Sequence, residues 1–173
     1  MEPDRESAAA AGWVQRALIG RHPKHTLARA AVLAAVCLVI FKFVLLPIKV
    51  EGISMLPTYR DGSINFVNTL AYAFHPPRRG DVVAIRFSGK HIMLMKRVIG
   101  LPGDTVAFHH GHAVISGQVL AEPYVKLPCN WEHGPETVGP DEYYVVGDNR
   151  SMDINEHEHG RAERKRIMGK VLL

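Results

Sequence analysis

The sequence predicts a single N-terminal transmembrane helix followed by a mainly β, antiparallel domain. Two observations lead to this prediction. An apolar segment near the N-terminus is almost free of charged residues, and after Val50 the chain consists of short runs rich in β-branched and aromatic residues. Gly, Pro, Asp and Asn separate these runs, a pattern typical of antiparallel sheets. A chain of 173 residues, 47% of them hydrophobic, has room for one globular domain beside a membrane segment.

The predicted membrane helix comprises residues 30–41 and, beyond Lys42, residues 43–48. This apolar stretch is close to the ~20 residues that a spanning helix needs. Lys42 lies near one end, where a long side chain can reach the membrane interface. A buried core helix is the alternative, but the polar sequence on both sides favours a membrane helix.

The charges around this segment predict its orientation. Cations are more numerous before it than after it: Arg16, Arg21, Lys24 and Arg29 precede it, and Lys42 and Lys49 lie at its far end. By the positive-inside rule the N-terminus is cytoplasmic, and the following domain lies on the outer face of the plasma membrane. Residues 46–51 offer no small-x-small cleavage site, which favours an uncleaved anchor over a signal peptide. We therefore predict a cytoplasmic arm at residues 1–27, an anchor at 28–48 and an extracytoplasmic domain at 49–173.

Charge and cysteine content exclude some classes of partner and bond. The net charge of +4 is modest and does not require a nucleic-acid partner. The basic residues 164–166 could meet anionic lipid headgroups, although a solvated face explains them as well. Cys37 falls in the predicted membrane helix and Cys129 in the outer domain, so we expect no disulfide between them.

Two groups of histidines could suggest a metal site. Both lie beside glycines in predicted turns, without a matching frame of carboxylates or cysteines, so we predict no metal ion. The first group is His109, His110 and His112, and the second is His157 and His159.

Seven runs after the anchor are predicted strands. The turn Arg79-Gly80-Asp81 begins the second run and the turn at residues 101–104 follows the third, so each bounds a strand. Residues 120–141 contain four prolines and are predicted to form a long surface excursion. The predicted strands are residues 63–69, 81–87, 91–99, 104–109, 113–116, 143–146 and 167–172.

Ser54 is the candidate nucleophile. It lies in the stretch Gly52-Ile53-Ser54-Met55-Leu56-Pro57-Thr58, where glycine permits a tight turn and proline fixes the backbone, so the hydroxyl could be held rigidly. A serine hydroxyl needs a neighbouring base before it becomes a good nucleophile. The alternative is a turn in which the serine only forms hydrogen bonds.

Lys96 is the candidate base. It lies in the apolar run of residues 91–100, which predicts a strand with at least one buried face. A lysine that faces inward is desolvated, and this would lower its pKa from ~10.4 toward the ~7–8 that suits a general base. The alternative is a surface lysine that points outward beside Arg97.

Four blocks of residues, in this order and after an N-terminal anchor, resemble those of bacterial type I signal peptidases. These are membrane-anchored serine endopeptidases with a Ser/Lys dyad. The resemblance covers the chain from the anchor to the C-terminus, and it implies a largely β fold on the membrane that removes signal peptides from exported preproteins. The blocks are Gly52-Ile53-Ser54-Met55-Leu56-Pro57-Thr58, Arg79-Gly80-Asp81-Val82-Val83, Lys96-Arg97-Val98-Ile99-Gly100-Leu101-Pro102-Gly103-Asp104 and Gly147-Asp148-Asn149-Arg150-Ser151.

The resemblance implies roles for individual residues and for partners. Ser54 would attack the substrate and Lys96 would be the general base, with no metal and no cofactor. Small substrate side chains would enter shallow apolar pockets, which Met55, Met93 and Met95 would line or support. The implied partners are preprotein signal peptides, the lipid bilayer and, transiently, the secretion translocon.

The sequence departs from the family pattern at two places. Gly52 stands where family members often have a hydroxyl residue that shares the oxyanion with the backbone N–H of the nucleophile, so the resemblance assigns no second oxyanion donor. The last block continues as Ser151-Met152-Asp153 and matches the family's Ser-x-Asp-Ser-Arg pattern only in part. Ser151 would bring its hydroxyl to the Lys96 amine or merely close the turn, and Asp153 would support the local scaffold.

Other functions share some of these features. A specialised peptidase that matures pilins or conjugation proteins would carry the same motifs. A catalytically silent, anchored β domain could bind extended peptides by strand addition, although it would not need both Ser54 and Lys96. A soluble self-cleaving repressor would use Ser/Lys chemistry, but it should carry a DNA-binding helical domain in place of the predicted anchor.

Overall fold

The computed structural model describes residues 23–86 and 93–172. Most of the predicted cytoplasmic arm, the last residue of the predicted strand 81–87 and the first two of the predicted strand 91–99 lie outside the described residues. The described residues divide into two units, with the boundary between Lys42 and Phe43.

Helix α1 spans Pro23–Phe43 and is 21 residues long. Proline suits the first turn of a helix, where its missing N–H would have had no intrahelical partner. The segment Lys24–Phe43 reaches a mean hydropathy of 2.0, and none of it is buried inside the protein. By length and composition α1 could therefore cross a membrane.

The helix ends before the end of the predicted anchor, which extended to residue 48. Strand β1, Leu45–Lys49, follows the helix at once and pairs antiparallel with the next strand. Leu46 and Ile48 pack against a buried cluster of the β domain. Hydrophobicity alone does not separate the two elements, because a membrane helix and a strand packed on a core both use apolar side chains.

Ten more strands follow β1 in the described residues, together with a 3₁₀ turn at Arg164–Arg166. They are β2 Ile64–Asn68, β3 Val82–Arg86, β4 Met93–Gly100, β5 Thr105–His109, β6 His112–Ile115, β7 Gln118–Val119, β8 His133–Thr137, β9 Glu142–Val146, β10 Gly160–Glu163 and β11 Ile167–Leu172. One sheet has the order β1-β2-β11-β3-β4-β9-β10, and the second has the order β7-β6-β5-β8. Every described pairing is antiparallel, which confirms the predicted fold class.

Four strands, β1, β7, β8 and β10, were not predicted from the sequence. Strand β8 lies inside the proline-rich excursion and contains Pro135. It forms an edge of the second sheet, where a residue without an N–H can be placed away from the ladder. Strand β10 likewise forms an edge of the first sheet. Strands β7, β8 and β10, unlike the apolar β1, have few apolar residues and so leave a weak signal in the sequence.

Two buried clusters support the region described below. The first packs Val50, Met55 and Tyr59, which follow β1, against side chains of β2, β3, β4 and β11. The second joins the two sheets around Phe108, Trp131 and Tyr144 and includes residues of β4 and β9. Strand β4 thus contributes side chains to both clusters, and β9 contributes to the second.

Candidate active site

Ser54 lies in the loop between β1 and β2. Backbone hydrogen bonds close the base of this loop, from the Val50 N–H to the Ser63 carbonyl at 2.8 Å and from the Gly62 N–H to the Val50 carbonyl at 2.8 Å. Gly52 has a φ of 97°, in the left-handed region that residues with a Cβ avoid. This conformation accounts for a glycine two positions before the serine. The loop presents Ser54 half-buried.

Asn149 holds the backbone of the Ser54 loop. Its N–H donates to the Ser54 carbonyl at 2.9 Å, and its Nδ2 donates to the Ile53 carbonyl at 3.0 Å. Asn149 belongs to the fourth sequence block, 95 positions beyond Ser54 in the chain. Two hydrogen bonds from one residue restrict both the position and the tilt of the loop.

Lys96 lies in β4 and is 3% exposed. Its direct neighbour across the sheet is Val83 of β3. Among the described residues its amine has no hydrogen bond or ion pair. Burial lowers the pKa of Lys96, and the nearby carboxylate of Glu158 opposes this effect in part. At a given pH, a larger fraction of Lys96 is therefore neutral than of an exposed lysine.

One groove of about 660 Å³ is lined by both Ser54 and Lys96. Residues 47–55 form one wall and residues 93–96 of β4 form another. The pairing of β4 with β9 begins only at Arg97, so residues 93–96 keep a free strand edge on that side within the described chain. The groove thus combines a hydroxyl, the amine of a buried lysine and an available strand edge.

The three predicted pocket residues also line this groove. Met55 is 2% exposed and Met95 is 9% exposed, and both belong to the buried cluster under the Ser54 loop. Met93 is partly buried and packs against the same cluster. Their contact with a substrate stays a prediction.

The four sequence blocks meet through one buried ion pair. The Arg97 guanidinium donates to Asp148, with Nε to Oδ1 at 2.8 Å and an Nη to Oδ2 at 2.6 Å. The same guanidinium donates to the Gly80 carbonyl at 2.7 Å, and the Thr58 hydroxyl donates to Asp148 Oδ2 at 2.5 Å. Asp148 is fully buried and Arg97 nearly so, and a buried pair of this kind is costly to break. The network ties the Ser54 loop to the strand that carries Lys96.

A family model described as signal peptidase, peptidase S26, matches residues 24–173. The chain belongs to this family. The match confirms the family that the four sequence blocks indicated. Together with α1, membership of the S26 family indicates a membrane-anchored protein.

Individual relatives are moderately similar to this chain. It is 38% identical to a signal peptidase I of Leptolyngbya laminosa over 128 residues, covering 69% of this chain and 63% of that protein. It is 32% identical to a probable signal peptidase I-2 of Synechocystis sp. over 126 residues, covering 69% of this chain and 58% of that protein. A signal peptidase I of Bacillus licheniformis is 35% identical over 153 residues, with 82% of each chain covered. The chain thus spans about three fifths of the first two relatives and about four fifths of the third.

A solved structure of a signal peptidase I from Enterococcus faecalis V583 also matches. The sequence identity is 26% and the TM-score is 0.47, and the match covers 56% of this chain and 97% of that chain.

Neither of the two residues predicted to support the site forms a hydrogen bond with Lys96. The exposed Ser151 donates its hydroxyl to Asn149 Oδ1 at 2.6 Å, and so does not reach the Lys96 amine. The exposed Asp153 accepts hydrogen bonds from the N–H and the Nδ2 of Asn155, at 2.8 and 3.0 Å. Both side chains thus form hydrogen bonds with residues of their own turn. In this structure the Ser151 hydroxyl is linked to the Ser54 loop through Asn149, and its predicted role towards Lys96 stays a prediction.

Sequence reasoning missed three residues that the structure brings to the site. Asn149 was visible as part of the fourth block, but its contact with the Ser54 loop depends on the fold. Glu158 lines the groove and its charge acts on Lys96. His157 was considered only as a metal ligand, yet it is 3% exposed and lies among the site residues. Nothing in the local sequence distinguishes this histidine from its exposed neighbours.

The described histidines have other contacts. His109 and His110 each lie 3.2 Å from a carboxylate oxygen of Glu132. The ring of His159 shares a hydrogen bond of 2.8 Å with the Tyr144 hydroxyl. In residues 23–86 and 93–172 no group of three or more His, Cys, Asp or Glu side chains is arranged to hold a metal ion.

Proposed function

We propose that this chain is a membrane-anchored serine endopeptidase that removes N-terminal signal peptides from exported preproteins, with Ser54 as nucleophile and Lys96 as general base. The observation that carries the proposal is the position of Lys96: the residue is 3% exposed, its amine has no hydrogen bond or ion pair in the described chain, and it lines the same groove as Ser54. Membership of a signal peptidase family supports the same reaction.

The proposed reaction begins with proton transfer. The neutral Lys96 amine takes the proton of the Ser54 hydroxyl while Oγ forms a bond to the scissile carbonyl carbon. The resulting ammonium then gives its proton to the leaving amine as the peptide bond breaks, which leaves an ester on Ser54. In the second half Lys96 removes a proton from water, the hydroxide attacks the ester, and the serine hydroxyl is restored. Burial helps because it lowers the pKa of Lys96 and so raises the neutral fraction at moderate pH.

The substrate is proposed to bind as an extended strand. Residues 93–96 keep a free strand edge at the groove, and an added strand would satisfy their backbone groups. The methionines Met55, Met93 and Met95 make the adjoining surface apolar. Such a surface suits small substrate side chains immediately before the cut, because a large side chain would need the packed methionines to move.

The membrane geometry follows from α1. We propose that α1 crosses the plasma membrane with its N-terminus in the cytoplasm, so that the β domain works on the outer face beside the bilayer. Substrates would arrive from the secretion translocon, which the enzyme would contact only transiently.

One experiment tests the proposed activity. The full chain in detergent is incubated with a preprotein that has an Ala-x-Ala cleavage site, and the new N-terminus is sequenced. We expect cleavage after the second alanine, none with Ser54→Ala, and none when that alanine is replaced by phenylalanine. An unchanged rate with Ser54→Ala would exclude Ser54 as the nucleophile, and equal cleavage of both substrates would exclude the small pocket.

A further inference from the structure

His157 is a buried side chain for which the reaction above has no use. It is 3% exposed, and both Nδ1 and Nε2 are buried without a hydrogen-bond partner among the described residues. A neutral imidazole has one N–H donor and one acceptor nitrogen. Buried polar atoms are nearly always satisfied in native proteins, so an imidazole with neither requires an explanation.

The register of the large sheet places Lys96 opposite Gly147. Strands β4 and β9 pair with Arg97 opposite Val146, and continuing the register by one residue puts Lys96 opposite Gly147. Side chains of directly opposite residues leave the same face of a sheet with Cβ atoms ~5 Å apart. If residue 147 had a side chain, it would therefore lie beside the Lys96 side chain.

Gly147 leaves that position free, and His157 occupies it. A Cβ built on Gly147 would lie 2.6 Å from His157 Nε2 and 2.2 Å from the Ser54 carbonyl oxygen. The imidazole and the backbone of the nucleophile thus meet at one point, on the face from which Lys96 extends. Any side chain at residue 147 would exclude the ring from this place.

Packing, and not hydrogen bonding, holds the imidazole. Its ring meets the Trp131 ring edge to face, with centroids 5.0 Å apart and an interplanar angle of 74°. Trp131 is fixed in turn because its Nε1 donates to the Met152 carbonyl at 2.7 Å. The ring is thus held by packing, while neither of its buried nitrogens has a hydrogen bond in the described chain.

The charged and titratable groups around His157 keep it neutral. Burial has the largest effect, and the positive charges of Lys96, His159 and Arg150 add to it, so the pKa of His157 falls to about 3. The backbone of Glu158 acts in the opposite direction and raises the pKa of His157 in part. One nitrogen of the ring is consequently an acceptor throughout the pH range in which a lysine base would work.

We propose that His157 is the positioning residue for Lys96: its acceptor nitrogen takes a hydrogen bond from the lysine amine, directly or through one water, and so aims the amine's lone pair at the Ser54 hydroxyl. A neutral amine has two N–H groups and one lone pair. When one N–H is held by the imidazole, rotation about the last side-chain bond is restricted and the lone pair faces the groove. His157 thus takes the role that the sequence had suggested for Ser151. This inference rests on the proposed function.

Three variants test the proposal in the full chain. His157→Phe keeps an aromatic ring against Trp131 but removes both nitrogens, and His157→Gln restores a hydrogen-bond acceptor. His159→Phe is the matched control, because His159 belongs to the same aromatic cluster and its nitrogen is used by Tyr144. The measurements are kcat and KM for the Ala-x-Ala preprotein across pH, with the thermal midpoint of each variant.

We expect His157→Phe to lower kcat at least tenfold with little change in KM. We also expect the acid limb of kcat/KM to move to lower pH, because the lost acceptor would have stabilised the ammonium form of Lys96. His157→Gln should recover most of the rate and return the limb towards its wild-type position. His159→Phe should leave the limb unchanged.

Two results would overturn the proposal. One is a folded His157→Phe variant with wild-type kcat and pH profile. The other is a fall in rate with an unmoved acid limb that glutamine does not rescue, which is the result expected of a purely structural residue. If His157→Phe does not fold, His157→Gln decides the matter. The acid limb of its kcat/KM profile should lie within experimental error of wild type. Its kcat should exceed that of a further variant, His157→Ala.

A direct titration keeps this inference separate from the proposed activity. The pKa of Lys96 is measured by NMR in protein containing lysine labelled with 13C at Cε, with Lys96→Arg to assign the signal. A lower Lys96 pKa in His157→Phe than in wild type supports the contact even if the preprotein is not cleaved. Absence of cleavage by the wild-type protein would by itself reject the proposed function. Equal pKa values would reject the contact whatever the activity.

Discussion

Two lysines lie on either side of Val83 in the large sheet, and their surroundings differ. Lys96 of β4 and Lys170 of β11 are both in register with this valine. The Lys170 amine donates to Asp81 Oδ1 at 2.7 Å, and 45% of its side chain is exposed. Lys96 is 3% exposed and has no carboxylate partner in the described chain. The same residue type at matching positions is therefore a structural cation in one strand and a candidate base in the other.

The difference arises from the partner and not from the strand. A carboxylate beside a lysine stabilises the ammonium form, whereas burial without a counterion favours the neutral amine. Asp81 is also held by the Tyr72 hydroxyl at 3.1 Å and the Arg78 N–H at 3.0 Å, so the charge of Lys170 is balanced within a hydrogen-bonded group. At Lys96, which has no such hydrogen-bonded carboxylate, burial lowers the pKa and favours the neutral amine.

The largest expected effect is on cleavage. Lys96→Met and Ser54→Ala should each lower kcat by about 10³-fold or more, because either change removes the same proton-transfer step, and the double variant should be no slower than the singles. Lys170→Met is the matched control and should retain cleavage. Steady-state rates with circular dichroism spectra check this. A double variant much slower than either single one would exclude the dyad, and loss of cleavage in folded Lys170→Met would remove the contrast between the lysines.

Mutations in the two lysine regions should change the free energy of unfolding in opposite directions. Burial would raise the pKa of Asp81, but hydrogen bonds from Lys170, the Arg78 N–H and Tyr72 together hold it below its usual value. Asp81→Asn should therefore lower the free energy of unfolding by about 1–3 kcal/mol at neutral pH. Because the pKa is depressed in the folded state, this contribution is present above the unfolded pKa of ~3.9 and is lost as pH falls through the folded value. Denaturant unfolding at pH 7 and at acid pH measures it, and an equal loss at both would exclude the ionised carboxylate as its source.

Lys96→Met should instead raise the stability at neutral pH. The depressed pKa of Lys96 means that the unfolded chain binds the proton more tightly, so the wild-type lysine destabilises the fold at pH values below its folded pKa. This cost disappears as pH rises towards the unfolded pKa of ~10.4. The thermal midpoints of the two proteins should therefore converge at alkaline pH. A variant less stable than wild type at pH 7 would mean that the lysine stem contributes more by packing than the charge costs.

Ser151→Ala should have a smaller effect on cleavage than His157→Phe. Its hydroxyl only orients the Asn149 amide that holds the Ser54 loop, and Asn149 keeps its backbone hydrogen bond to Ser54 without it. We expect kcat to fall less than about tenfold, the cost of one hydrogen bond. The acid limb of the pH profile should not move. A moved limb would place Ser151 on Lys96 after all.

The smallest expected effect comes from Glu158. Its carboxylate raises the pKa of Lys96 against the larger effect of burial, so Glu158→Gln should lower that pKa further. The acid limb of kcat/KM should then move to lower pH. Glu156→Gln is the matched control, because Glu156 lines the same groove but is not among the charges that act on Lys96. A shift in the opposite direction, or an equal shift in the control, would contradict the assignment.

Much of the fold could be predicted from the sequence, because strong local patterns coincide with the elements. The alternation of apolar runs and turn residues located β2, β3, β4, β5, β6, β9 and β11 to within two residues at most ends. The prediction of a helix was wrong at residues 45–48, which belong to strand β1 and not to the end of the helix. Edge strands such as β8 and β10 were missed because a strand with one neighbour needs few buried side chains.

The sequence by itself determined the family, the fold class and the two residues proposed to carry the reaction, since these depend on motifs and on periodicity along the chain. Only the tertiary structure decided which groups surround them. The Ser151 hydroxyl donates to Asn149 in its own turn, and the His157 ring lies beside the Ser54 carbonyl because Gly147 leaves a side-chain position empty there. Contacts of this kind join residues from separate elements, and burial and charge at a site are sums over such neighbours. No stretch of sequence contains that information on its own.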